Sequence, residues 1–219
     1  MKTLTLSGWA QPANALSRIV PDSLHFDYSD YPNSEASFER LKSFHHIENI
    51  VAWSMGGQLA LRAIAAGVLN PKKLVLIATP FQFVGKQGMD GLTFNQFREN
   101  YTTDARRSKN RFHGLIAKGD KHHRMIMDML DHHPEVENIE RWLPWLDELA
   151  RFSVESLHHS AIPGPYVIHG SEDAIVPLKQ SEALIAHLGA GHLEVWESCG
   201  HAPHLHDRQA FIERLETWL

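Results

Sequence analysis

Short apolar runs alternate with stretches of helical periodicity at both ends of this 219-residue chain. "KTLTLSG" (2–8) alternates Leu with Thr and stops at Ser-Gly, which predicts a first strand. "SLHFDY" (23–28) predicts a short second strand, and "SEASFERLKSF" (34–44) a short helix opened by Ser34. "IENIVAW" (47–53) and "KKLVLIATP" (72–80) are nearly continuous in apolar residues, the pattern of parallel strands covered on both faces. Between them an Ala-rich stretch, 55–69, predicts a helix stopped by Asn70-Pro71. The rhythm returns at Pro163 with a strand in "PYVIHG", a turn in "SEDAIVP", a helix over 178–188 and a strand in "HLEVWES". A final helix follows, with Phe211, Ile212, Leu215, Trp218 and Leu219 on one face. His204 and His206 are assigned to it. The alternation predicts an open, mostly parallel α/β sheet flanked by helices.

The interval from about Gln82 to Ser160 carries only helical patterns: Phe94, Phe97 and Tyr101; Phe112, Leu115 and Ile116; Ile139, Trp142, Leu143, Leu146 and Leu149. It reads as an inserted helical cap (82–160) in an α/β core built from 1–81 and 161–219. Hydrophobic content of 43% and charged content of 21% fit a globular protein able to bury a full core. The single Cys199 excludes an intramolecular disulfide framework and a multi-cysteine zinc site. No apolar run reaches the ~20 residues of a membrane span. "MKTLTLSGWAQPANAL" is too broken by Thr and Ser to be a signal peptide, so a cytoplasmic location is expected. A net charge of -5 argues against general nucleic-acid binding.

"IVAWSMGGQLAL" places Ser54 between Trp53 and two glycines, where strand gives way to helix. Such a turn sits at the C-terminal edge of the sheet, where α/β proteins place their sites. A nucleophile there needs small neighbours, which Gly56 and Gly57 supply, although Ala52 replaces the usual first glycine of the motif. The plainer role for Ser54 is a helix N-cap. A nucleophilic serine needs a base, and the base an orienting acid. "VIHGSEDAIVP" offers Asp173, with Glu172 as rival, and "ESCGHAPHLH" offers His201, with His204 and His206 as rivals. The expected catalytic set is Ser54, Asp173 and His201. The oxyanion donors are expected from the backbone N–H groups of Met55 and of Trp9, in the loop after the first strand. The Trp9 side chain can equally serve as a wall of a substrate pocket shared with Trp53 and Phe81.

"LSGWAQPANAL", "AWSMGGQLAL", "ATPFQF", "HGSEDAIVP" and "CGHAPH" together resemble the α/β-hydrolases that cleave pimeloyl-[acyl-carrier protein] methyl ester in biotin synthesis. "DYSDY" (27–31) resembles the "DY-x-D" segment of their short form, and no segment matching the usual first two strands precedes "KTLTLSG". The resemblance implies an α/β-hydrolase fold and a serine carboxylesterase needing no cofactor, with an acyl carrier protein as partner. Between Ala105 and Arg124, seven cations face a single acid, Asp120. Arg106, Arg107, Lys109, Arg111, Lys121 and Arg124 are therefore the expected carrier-docking residues, against the plainer reading of a solvated helix face. A monomer is expected. The alternatives are a general small- or medium-chain esterase or lyase of the same fold, and a binding module without catalysis.

Sixteen histidines invite a metal, but no ligand spacing supports one. The pairs His122-His123, His132-His133 and His158-His159 read as solvated. Met125, Met127 and Met129 read as cap core or as the lining of an acyl channel.

Overall fold

The computed structural model describes residues 2–131 and 137–219, and only the backbone of His159. The His132-His133 pair lies outside the described residues. Six strands form one parallel sheet in the order β2-β1-β3-β4-β5-β6. They are β1 (Thr3–Leu6), β2 (Leu24–His25), β3 (Asn49–Trp53), β4 (Lys73–Ile77), β5 (Tyr166–Gly170) and β6 (His192–Trp196). The register sets Leu4 beside Ile50, Val51 beside Val75 and Ile77 beside Ile168. Every residue of β1 and β3 is buried, Thr3 and Thr5 included, as interior strands of a parallel sheet covered on both faces are, whereas the edge strand β6 is only partly covered.

The helices are α1 (Ser34–Leu41), α2 (Met55–Ala65), α3 (Gly91–Thr103), α4 (Ala105–Ala117), α5 (His123–Asp131), α6 (Ile139–Arg151), α7 (Lys179–Leu188), α8 (Pro203–His206) and α9 (Arg208–Trp218). Several boundaries differ from the sequence expectation. Asn33, not Ser34, caps α1, its Oδ1 accepting from Ala36 N at 2.9 Å. The Ser34 hydroxyl instead donates to Glu148 on α6. Helix α2 ends four residues early because Gly67, at φ 70°, turns the chain back so that Val68 N–H bonds Ala63 O. His204 and His206 lie on the separate short helix α8, not on the final helix. Asp207 breaks the two apart by capping α9, its Oδ1 accepting from Ala210 N.

Four helices, α3 to α6, lie between β4 and β5, and their inward faces join the same hydrophobic cluster as the sheet. Trp142, Trp145 and Leu146 of α6 are buried. The "DYSDY" segment is tied to α6 at several points. Arg141 bridges Asp27 and Asp30 at 2.6 and 2.9 Å, Trp145 Nε1 donates to Tyr31 O, and the Tyr28 ring packs on Trp145. Chain order reverses about β1, so the loops after β1 and β3 open at the switch point where α/β sheets bind ligands.

Candidate active site

Ser54 stands between β3 and α2 with φ 52° and ψ -118°, a conformation that costs a non-glycine residue of order 1–3 kcal/mol. The turn is crowded enough to fix its neighbours. A Cβ on Gly56 would lie 2.3 Å from Leu6 O, and one on Gly57 would lie 1.9 Å from the Thr79 hydroxyl. Although Ser54 occupies the N-cap position of α2, its side chain makes no capping bond. Its hydroxyl donates instead to His201 Nε2 at 3.0 Å.

His201 follows β6 in a loop and is 1% exposed. Its Nδ1–H donates to Asp173 Oδ2 at 2.7 Å, which leaves the Nε2 lone pair to face the serine. The Trp53 indole N–H holds the base from behind by donating to His201 O at 3.0 Å. Asp173 follows β5, and its other oxygen accepts the N–H groups of Ile175 and Val176 at 2.8 and 2.9 Å. This set can take a proton from a serine hydroxyl and hold the resulting imidazolium. The rivals are placed elsewhere: Glu172 is exposed, His206 pairs with Asp120 at 2.9 Å, and the His204 ring packs edge-on against Trp53 at 4.5 Å.

The two turns expected to supply oxyanion donors lie together. A Cβ on Gly8, next to Trp9, would sit 3.6 Å from the Ser54 Cβ. Met55 opens α2, so its N–H is among those a helix leaves without an internal partner. The Trp9 side chain turns toward the helices after β4, edge-on to Phe97, Tyr101 and Phe112, with Nε1 donating to Trp142 O at 2.9 Å. A cleft of about 720 Å³ opens beside Trp53. Of the three expected pocket walls, Trp53 lines it; Trp9 and Phe81 do not, Trp9 being held by its aromatic partners and Phe81 packing against His187. The Met125, Met127, Met129 group divides: Met127, partly buried, packs against the core that Ile126 and Leu130 fill, while Met125 and Met129 line the cleft.

Two supports were not read from the sequence. His169, buried on β5, donates from Nε2 to Val176 O at 2.7 Å and accepts at Nδ1 from the Ser181 hydroxyl at 2.7 Å. Burial pushes its pKa down, against the pull of Asp173, so it pins the acid loop as a neutral ring. Asp120, between α4 and α5, accepts from Gly200 N at 3.0 Å and His206 Nδ1 at 2.9 Å, tying that loop to the base loop. The available signals were a polar residue inside the apolar "YVIHG" and one acid in a basic run. Asp120, Cys199 and His206 also form a cluster of metal-ligand type. Its carboxylate is already taken up by internal donors, and burial, with the Asp120 and Asp173 charges, pushes the Cys199 thiol up, away from a thiolate.

The model of the Alpha/beta hydrolase family matches residues 5–214. The chain belongs to that family. It is 25% identical to a pimeloyl-[acyl-carrier protein] methyl ester esterase of Nitrosomonas europaea, over 94% of this chain and 91% of that protein. It is 28% identical to a protein of the same name from Aromatoleum aromaticum, over 71% and 67% of the two chains. Among solved structures it resembles an esterase from Exiguobacterium antarcticum, with a TM-score of 0.81, 17% identity and coverage of 100% and 91%. A bromoperoxidase from Bacillus anthracis matches at 0.79 and 16% identity, over 99% and 91% of the chains; both likenesses speak to fold alone.

In this α/β-hydrolase a run of basic residues extends from α4 through the loop after it to the start of α5. Arg106, Arg107, Arg111, Lys121 and Arg124 are exposed, whereas Lys109 is partly buried and paired with Glu137 at 3.1 Å. Arg106 and Arg107 occupy the first turn of α4, the positive end of its dipole, where cations are unfavourable. Asp120 is buried and does not offset them at the surface. The His122 and His123 side chains are exposed. No helix among the described residues is long and apolar enough to cross a membrane.

Proposed function

We propose that this α/β-hydrolase is a serine carboxylesterase acting on the methyl ester of pimeloyl-[acyl-carrier protein]. The observation that carries the reading is the relay from Ser54 Oγ through His201 to Asp173, with links of 3.0 and 2.7 Å, at a strained strand-to-helix turn. Ser54 attacks the ester carbonyl as His201 takes its proton and Asp173 holds the imidazolium. The N–H groups of Trp9 and Met55 receive the developing oxyanion. The leaving methoxy group takes the proton from His201 and departs as methanol. Water, deprotonated by the same base, then attacks the acyl-Ser54 ester and releases the free carboxylate. None of these steps calls for a cofactor.

The substrate class is supported by the named activity of the relatives and by the basic face of α4. Residues 82–160 act as a cap that presents this face, and the protein works as a cytoplasmic monomer. An acidic carrier would be steered by Arg106, Arg107, Arg111, Lys121 and Arg124, an effect that salt screens. Lys109, held by Glu137, contributes least. Reversing Arg106, Arg107 and Arg111 to Glu is expected to raise KM for a carrier-linked ester and leave turnover of a small neutral ester nearly unchanged. Only the carrier-linked substrate should lose kcat/KM as ionic strength rises. Equal losses on both would mean that the charges hold the cap together, and no loss on either would return them to a solvated face. Rescue of a biotin-requiring strain lacking its own esterase tests the pathway, and failure to rescue would favour a general esterase.

A further inference from the structure

The Trp9 N–H can serve a developing oxyanion only if the loop after β1 holds it still, and Gly8 just before it leaves the backbone free to turn. The loop is tight. Gln11 N–H bonds Gly8 O, and the Ser7 hydroxyl donates to Gln11 O at 3.3 Å. Ala10 takes φ 57°, a left-handed conformation that is strained for a residue with a Cβ. Such a turn persists only where its surroundings fix it. Contacts from outside the loop supply this. Beyond Gly8, the Trp9 indole donates to Trp142 O on α6 at 2.9 Å. Before Gly8, the Tyr28 hydroxyl donates to Ser7 O at 3.1 Å. The same carbonyl lies against the nucleophile turn, since a Cβ on Gly56 would stand 2.5 Å from it. The Ser7–Gly8 peptide is thus gripped between Tyr28 and the start of α2.

Tyr28 is itself held. It opens a short helical turn, Tyr28–Asp30, and its buried ring packs edge-on against Trp142 and Trp145 at 5.8 and 4.6 Å. Arg141 secures that turn through Asp27, Ser29 and Asp30. Burial, with the Asp27 charge beside it, holds the phenol well above its ordinary pKa, so the hydroxyl stays a donor at any pH that suits an ester assay. A phenylalanine could pack on the same rings. What the hydroxyl adds is the bond to Ser7 O. Tyr28 and Trp9 therefore tie the two sides of Gly8 to one helix, α6.

We propose that Tyr28 is a positioning residue for the oxyanion hole: its hydroxyl fixes the peptide before Gly8 and, with the Trp9 indole, aims the Trp9 N–H at the carbonyl oxygen of an ester attacked by Ser54. The inference rests on the esterase reading, which it deepens. It gives "DYSDY" a part in the chemistry, exerted through Ser7.

Tyr28→Phe removes one oxygen and keeps the ring contacts. Ester kinetics and a transition-state analogue together test its effect. A trifluoromethyl ketone serves as the analogue: Ser54 Oγ bonds its carbonyl carbon, the serine proton passes to His201, and the carbonyl oxygen becomes an oxyanion. In Tyr28→Phe, assayed below its own Tm, kcat on a small neutral ester is expected to fall about tenfold with KM nearly unchanged. That is less than the roughly hundredfold or more lost with an oxyanion donor itself. Affinity for the ketone should weaken by the same factor as kcat/KM. Trp9→Phe, which cuts the bond to Trp142 O, should show the same two losses and serves should Tyr28→Phe fail to fold. A hydroxyl that only supports the core would lower Tm and leave kcat and ketone affinity at wild-type values. That result, or a fall in kcat with full ketone affinity, would overturn the proposal while leaving the esterase reading in place. A wild type that neither hydrolyses the ester nor binds the ketone would overturn the esterase reading and this inference with it.

Discussion

Ser54 holds φ 52° in a turn that only glycine adopts without strain, and the strain aims its hydroxyl at His201. Replacing it separates chemistry from stability. Ser54→Ala is expected to cut kcat on a simple ester by roughly 10⁴-fold or more and to leave the denaturation midpoint nearly unchanged. Ser54→Gly should lose the same activity yet gain about 1 kcal/mol by relieving the backbone. Ester turnover and chemical denaturation of the two variants check both halves, and an active Ser54→Ala would remove the nucleophile from the account. The three relay residues were legible in the sequence because their signals are local: glycines at a crowded turn, an acid after one strand, a histidine after another. His169 and Asp120 were not. Asp120 matters because of bonds to Gly200 and His206, both far along the chain.

Among the elements, strands were read more accurately than helix ends. Apolar runs mark β3 and β4, alternation marks β1, and turn residues bound the rest, so all six fall inside their predicted spans. Helix ends depend on single residues whose role is settled by backbone conformation. Gly67 ended α2 before Asn70-Pro71 could, and Asp207 split the predicted last helix into α8 and α9. The loop between α4 and α5 is the element with the largest reach. Besides the Asp120 bonds, Lys121 N–H bonds Ser198 O, and His201 N–H bonds Ile116 O at the end of α4. These contacts fasten the base loop to the helices that carry the basic face. Asp120→Ala strips the buried His206 and the Gly200 N–H of their acceptor, at about 1–3 kcal/mol for each donor left unsatisfied. Its expected signature is a lowered Tm with a drop in kcat on a small ester at temperatures where the variant is still folded. A variant with lowered Tm and full kcat would show that the clamp supports the fold and not the base.

For the whole molecule, burying neutral histidines sets the response to acid. The folded pKa of His204 is lowered to about 3 from 6.5, and that of His169 is lowered as well. Above 6.5 both states hold these rings neutral and the contribution to stability is fully present. As pH falls below 6.5 the unfolded chain takes up protons that the folded one refuses, so stability is lost. Each such group removes about 1.4 kcal/mol per pH unit within its window. Denaturant midpoints between pH 7.5 and pH 5 are expected to fall, and His204→Phe should flatten that slope; an identical slope in the variant would deny the buried neutral ring its part. The central claim joins the relay to a carrier-borne ester, and one measurement addresses it directly. Pimeloyl-carrier methyl ester is incubated with the wild type and with Ser54→Ala, and the intact carrier is weighed by mass spectrometry. The wild type is expected to remove the methyl group as methanol and leave the thioester whole, and Ser54→Ala to leave the substrate untouched. A carrier that keeps its methyl group with active wild type, or that loses it equally with Ser54→Ala, would contradict it.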